Sequence, residues 1–471
     1  MPDLAAALPL VTAGRTAYAF QLRRGIRYSS GTVVRATDFR RALERLFGLR
    51  SFGSTLFRGL RGANACLQMP QRCDPSKGVR TNDATGAIVF HLVRPDGEFL
   101  SSLETLAPVP LGTPHGEVGV HTVPSTGPYM IERYVPRREV TLVRNPYFRV
   151  WSEVARPDGF PDEIQFRLRL RGEEAVKAVE RGRADFSFGV PAAMLEEVET
   201  RYRSQLHVSP APGTMFFVFL NTRLAPFDDV RVRRAVNYAV DRAAVARALG
   251  GTNVAQPLCQ IRPPSVAGYR PYCPYTVDPT PGGQWKAPDL TRARRLVAAS
   301  GTKGMKVALW AWAENIQPAA REVVSALNRL GYRATLRRVD TIDHYFPAVL
   351  DEKTRAQAGM FGWIGASGQL PSYVLPSSLT SASIRAPNNN PSFFCDPKID
   401  ERMRHALSVQ ATDPAGAVVL WARIERDVVD RAPWVPLFTP RRAQFVSARV
   451  GNYQYNPATG AGVLLDQLWV R

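Results

Sequence analysis

Phe216–Gly250 reads FFVFLNTRLAPFDDVRVRRAVNYAVDRAAVARALG, and this stretch decides the fold. Phe216–Leu220 is an apolar run rich in β-formers, the length of a buried strand. Pro226 interrupts the chain, and Asp228 or Asp229 can cap the helix that follows. Val232, Val236, Ala239 and Val240 recur at helical spacing. Ala243, Val245 and Leu249 carry that stripe to a stop at Gly250-Gly251, so a single helix is expected. Arg231, Arg233, Arg234, Arg242 and Arg247 fall mostly off the stripe and read as solvated. Taken alone, the stretch is a strand, a loop and an amphipathic helix packed on a core. Its position says more. It directly follows Pro210-Ala-Pro-Gly213, which reads as a crossing between two lobes.

At 471 residues the chain has room for two or more domains and an ample core. No run of about 18 apolar residues occurs, so no transmembrane helix is expected. Leu4–Val11 is apolar but short and lacks a basic leader, so it is not a secretory signal. The net charge of +20 invites an anionic partner. The excess is mostly arginine spread along the chain, without a dense basic block or a zinc-finger or RNA-binding signature. A basic solvated surface explains it better than nucleic acid.

Five cysteines are present. Cys66 and Cys73 flank one turn-rich loop, and Cys259 and Cys273 flank another, rich in Pro, Gly and Tyr. Each pair suits a local disulfide and an oxidising compartment. A zinc site is disfavoured, because there is no C-x-x-C and no two histidines stand at ligand spacing. Cys395 is left over and is expected to be a free, packed thiol.

Along the chain, strands are expected at Thr16–Leu22 and Ala87–Leu92, and a helix at Thr37–Phe47. Tyr129–Tyr134 and Glu139–Val143 alternate like a hairpin. Ile164–Leu170, Glu173–Arg181 and Ala184–Phe188 run strand, helix, strand, an expected βαβ unit. The cleanest βαβ unit is Lys306–Trp312, Ala319–Leu330 and Tyr332–Val339. Trp310 and Trp312 share a face of that first strand and read as core. Gly359–Ile364 is another strand, and a long Ser/Asn/Pro-rich loop follows. Trp434–Phe438 and Ala443–Val450 read as two separate strands. No hydrolase elbow, zincin, Walker or dinucleotide motif is found, so an enzyme is not expected.

Several segments, in order, carry a resemblance to a known family. They are Ser125-Thr-Gly-Pro-Tyr129, Leu142-Val-Arg-Asn-Pro146, Leu220-Asn221 with Pro226–Arg242, Gly362-Trp363, Cys395–Asp400 and Ala432–Leu437. Phe20–Ile26 with Gly31-Thr32 matches the early part. The chain resembles the family 5 extracellular solute-binding proteins of ABC importers, of oligopeptide-, dipeptide- and nickel-binding type. The resemblance implies an α/β, two-lobed fold like that of the periplasmic binding proteins (type II, cluster C), with hinge strands and an extra subdomain on lobe one. Residues 1–115 would form that subdomain, 116–212 plus 440–471 the core of lobe one, and 213–439 lobe two. Pro210–Gly213 and Pro436–Pro440 would be the hinge. Set against the family, the chain begins abruptly at Pro2-Asp-Leu4, as if an export signal and opening strands were missing.

The implied function is capture of a peptide-like or other small amide-rich ligand by hinge closure, outside the cytoplasm. The implied partner is a membrane permease, with a monomer and no cofactor or metal expected. A ligand-sensing module excised from a larger regulator is the alternative, with a basic nucleic-acid binder behind it. Peptide-binding relatives carry an Asp three residues after the Gly-Trp, where Ala366 stands here. A buried ammonium needs such a carboxylate. Neutral hydrogen bonding by Ser367, Gln369 or Asn388–Asn390 is expected instead. Trp363, Phe361 and Tyr373 are candidates for an apolar wall, with Asn389 and Asn221 as polar ligand contacts.

Overall fold

A computed structural model of the chain describes residues 2–312, 316–364, 370–385, 388–457 and 462–471. The spine of the larger lobe is the strand Met215–Leu220, buried along nearly its whole length because both faces are apolar. It lies antiparallel to Ala358–Trp363 on one side and to Trp434–Val446 on the other. Beyond Ala358–Trp363 come Lys306–Trp312 and Arg333–Val339, parallel to one another and joined by the helix Gln317–Arg329. This is the expected βαβ unit. Trp310 and Trp312 are buried in it, and the Arg337 guanidinium stacks over Trp310 at 3.9 Å.

The central helix differs from expectation. It is two helices, Val230–Ala239 and Arg242–Ala248, each with its own aspartate cap. Asp229 accepts from the Arg231 backbone N–H at 2.7 Å, and Asp241 from that of Ala244 at 2.9 Å. Val240 between them is extended. The arginines explain the break, since two of them are not solvated. Arg242 is fully buried and donates to the carbonyls of Asn237, Leu258 and Pro436 at 2.9 to 3.1 Å. Arg233 is buried too and donates to the carbonyls of Phe227 and Arg431. Each guanidinium satisfies backbone acceptors that no apolar side chain could.

The late strands are a second correction. Trp434–Val446 is one continuous strand through Pro436 and Pro440. Its first half belongs to the larger lobe's sheet. Its second half pairs with Leu206–Pro210 from Arg441 to Phe445, and with Phe186–Ser187. Beside it the chain makes its other crossing, between Pro210 and Met215. Gly213 there takes φ of +65°, and the Thr439 hydroxyl donates to the Thr214 carbonyl at 2.8 Å. Two adjacent strands thus carry the chain between lobes.

The early βαβ unit is a third correction. Glu163–Arg167 pairs with Glu139–Arg144 and extends the 129–144 hairpin, whereas Phe186–Ser187 joins the long strand in a different sheet. Alternation marks a strand but not its partner. The four-stranded sheet near the start contains Ala17–Gln21 and Ala87–His91 as neighbours.

Apolar packing among the described residues falls into three clusters. One spans Met215 to Phe438, one Tyr18 to Leu106, and a small third joins Val176, Val179, Met194 and Val198 to Phe445. Cys66–Cys73 and Cys259–Cys273 are disulfide-bonded, each closing its turn-rich loop. Cys395 is free but exposed rather than packed, with its sulfur 2.6 Å from the Ser381 hydroxyl. Among the described residues no helix is long and apolar enough to cross a membrane.

Candidate functional site

The strand Ala358–Trp363 leaves the core at its C-terminal end. Its first half is buried, Phe361 to Trp363 are half-buried and Ile364 is exposed. Trp363 pairs with Met215, the first residue after the Pro210–Gly213 crossing segment and Thr214. The strand end therefore opens beside the junction of the lobes. Two glycines let it lie there. A Cβ on Gly362 would stand 2.8 Å from the Phe216 ring, and one on Gly359 2.6 Å from the Tyr345 hydroxyl.

The aromatics come together. Trp363 meets Tyr373 edge to face at 6.3 Å, and Phe361 packs on Phe217 and Phe346. Tyr373 holds φ of +40°, a backbone state rare for a side chain of that size. Its hydroxyl is buried with no hydrogen-bond partner among the described residues, and burial holds its pKa well above the usual tyrosine value. The preceding turn is pinned from below. Arg262 donates to the Pro371 carbonyl at 2.9 Å and forms a fully buried ion pair with Glu425 at 2.8 Å. Glu425 also accepts from the Gln260 side chain and from the Arg262 backbone N–H.

A second group of polar residues joins the Tyr18–Leu106 unit to the larger lobe. Asn389 donates to the Thr55 hydroxyl at 2.9 Å. Arg58 donates to the Ala382 carbonyl at 2.6 Å and to that of Arg385 at 3.3 Å. The buried Gln410 donates to the buried Ser372 hydroxyl at 3.1 Å. Burial, reinforced by the nearby Asp96 charge, pushes Glu98 up to about 8. Asp96 is also raised by burial, although the Glu98 backbone N–H donates to it at 2.9 Å.

The remaining sequence candidates separate from the aromatics. Asn221 sits at the opposite end of the Met215–Leu220 strand from Trp363. There its amide donates to the Ala356 carbonyl at 3.0 Å and accepts from the Arg223 N–H, closing a turn. Asn389 is buried against Thr55. Asn388 donates to Leu350, and Asn390 ties Thr380, Ser392 and Phe394 together, so all three asparagines bind protein groups. Ser367, Ala366 and Gln369 lie outside the described residues. Among the described residues no cluster of three or more His, Cys, Asp or Glu could hold a metal. The sequence reading missed Thr55, Arg58, Glu98, Ser372 and Gln410. None of them sits in a motif, and only folding brings them together.

The profile of bacterial extracellular solute-binding proteins, family 5 Middle, matches residues 1–384. Glutathione-binding protein GsiB of Shigella dysenteriae is 23% identical over 459 residues, covering 94% of this chain and 81% of that protein. The Escherichia coli murein tripeptide binding protein MppA superposes with a TM-score of 0.81 at 20% identity, over 100% of this chain and 89% of that one. The unliganded open form of MppA superposes with a TM-score of 0.67 at 21% identity, over 100% of this chain and 88% of that one. With the family profile spanning most of its length, the chain belongs to the family 5 bacterial extracellular solute-binding proteins of ABC importers, which bind rather than convert their solutes.

Proposed function

We propose that this chain captures a peptide-like or other amide-rich small molecule between its two lobes and presents it, as a monomer, to the membrane permease of an importer. In this reading residues 1–115 are an extra subdomain, 116–212 with 440–471 the core of lobe one, and 213–439 lobe two. One observation carries the proposal. The strand end bearing Phe361 and Trp363 opens at the lobe crossing, with Tyr373 against it. Ligands of α/β folds collect at the C-terminal ends of strands and at domain junctions. The names of GsiB and MppA, glutathione-binding and murein tripeptide binding, support a short peptide-like ligand.

Trp363, Phe361 and Tyr373 would form the wall, and Ser367, outside the described residues, is the proposed hydrogen-bond partner for a neutral amide. Asn389 and Asn221 leave the ligand set, since both are occupied by protein groups. The Ala366 position supports a ligand without a free ammonium at that end. Nothing in the family favours the regulatory-module or nucleic-acid readings. Native mass spectrometry of freshly purified protein tests the proposal. The expected result is a co-purifying amide-bearing molecule that leaves on denaturation. Failure of any peptide or amide-rich molecule to bind the protein, co-purified or added, would overturn it.

A further inference from the structure

We infer that the polar seam between residues 55–98 and residues 372–410 is a latch that holds the two lobes together without help from ligand. The inference rests on the hinge-closure reading above and adds to it a device that sets how much of the free protein is closed. Three contacts span the seam. They are Asn389 to Thr55 at 2.9 Å, Arg58 to the carbonyls of Ala382 and Arg385, and the close packing of Gly97 on Gln410. All three join a unit packed around Tyr18–Leu106 to one packed around Met215–Phe438. These are separate cores, so the contacts exist only while the units lie close. The seam is also tight. A Cβ on Gly97 would stand 2.7 Å from Gln410 Cγ and 2.9 Å from its Cβ. Glycine is required there by the opposite lobe, since Gly97 has no positive φ to demand it. The present arrangement superposes with MppA at a TM-score of 0.81 and with its unliganded open form at 0.67.

A latch of this kind acts on affinity at a distance. Apparent affinity scales with the fraction of protein already in the competent state, so breaking the latch weakens binding although no ligand contact is touched. The Arg58 fork matters most by this logic, because one side chain ties two carbonyls of the facing segment.

The test uses protein stripped of small molecules by unfolding and refolding. Hydrogen exchange is followed across residues 370–390, with X-ray scattering for overall size. Thr55→Val and Arg58→Lys weaken the bonds while preserving size or charge, and Gly97→Val wedges the seam. Losing one or two hydrogen bonds at about 1 kcal/mol each should speed exchange roughly five- to thirtyfold and enlarge the radius of gyration. Gly97→Val should do the same with every bonding group in place. Arg40→Ala, on the surface helix Ala36–Gly48 and paired with Glu44, should change neither. Folded variants with wild-type exchange and size would overturn the latch. Because no ligand is present, that result would leave the solute-binding proposal standing, and a failure to find ligand would leave the latch standing.

Discussion

Replacing Glu425 with alanine should destabilise the larger lobe severely, and the structure sets the scale. Glu425 accepts from Arg262 Nε at 2.8 Å, from the Arg262 backbone N–H at 2.6 Å and from the Gln260 amide at 3.0 Å. The Arg262 and Glu425 side chains are 0% and 2% exposed. Removing one partner of a buried pair leaves an uncompensated charge and costs about 3–5 kcal/mol. Arg262 cannot absorb the loss, because its Nη2 is already buried without a partner among the described residues. Its remaining side-chain bond goes to the Pro371 carbonyl, beside Ser372 and Tyr373. At about 2–4 °C per kcal/mol for a lobe of this size, the melting midpoint should fall by roughly 6–20 °C. Glu425→Gln keeps the shape and one acceptor, and should lose less. Thermal melts followed by circular dichroism give the answer. A Glu425→Ala midpoint within about a degree of wild type would refute the reasoning, because it would mean that the guanidinium finds other compensation.

Four further outcomes follow from the same contacts. Trp363→Ala should weaken binding of the co-purifying molecule, measured by titration calorimetry, while leaving the melting midpoint near wild type; unchanged affinity removes Trp363 from the site. Gly362→Ala places a Cβ 2.8 Å from the Phe216 ring and should cost about 1–3 kcal/mol in denaturant titration, with a wild-type midpoint counting against the packing argument. Glu98, pushed up to about 8 from an ordinary 4.5, favours its neutral form in the closed seam. That contribution is complete below pH 4.5 and is lost as pH rises through about 8. Stripped protein should therefore expand in scattering between pH 5 and 9, and Glu98→Gln should flatten the response. Thiol titration of native protein should find Cys395 alone, and all five cysteines after denaturation and reduction; more than one reactive thiol before reduction contradicts the two disulfides.

Much of the fold was legible because its strongest signals are local. Phe216–Leu220, Asp229 as a cap and the βαβ unit around Gln317–Arg329 follow from periodicity and capping chemistry within short windows. The departures are all tertiary. Val240 breaks the helix because the Arg242 guanidinium is drawn inward to three carbonyls that only the folded lobe brings together. Trp434–Phe438 and Ala443–Val450 read as separate strands, yet one long strand passes through Pro440 where the lobes meet and its partners change. The site divides the same way. Trp363 and Tyr373 stand out as aromatics near a Gly-Trp pair and a loop. Thr55, Arg58 and Glu98 are ordinary surface residue types whose role depends on a facing segment some 300 residues away in sequence. The asparagine run looked like a row of ligand amides because its composition does not reveal that Leu350, Thr55 and Phe394 already occupy it.

The central claim is that two separately packed lobes close on a small guest through the Pro210–Met215 crossing and the Trp434–Val446 strand. X-ray scattering of stripped protein, before and after return of the molecules released from freshly purified material, tests it most directly. A radius of gyration that contracts on reloading, more so in Gly97→Val than in wild type, is the predicted result. Identical scattering curves for stripped and reloaded protein in both forms, with binding verified in the same samples, would contradict it.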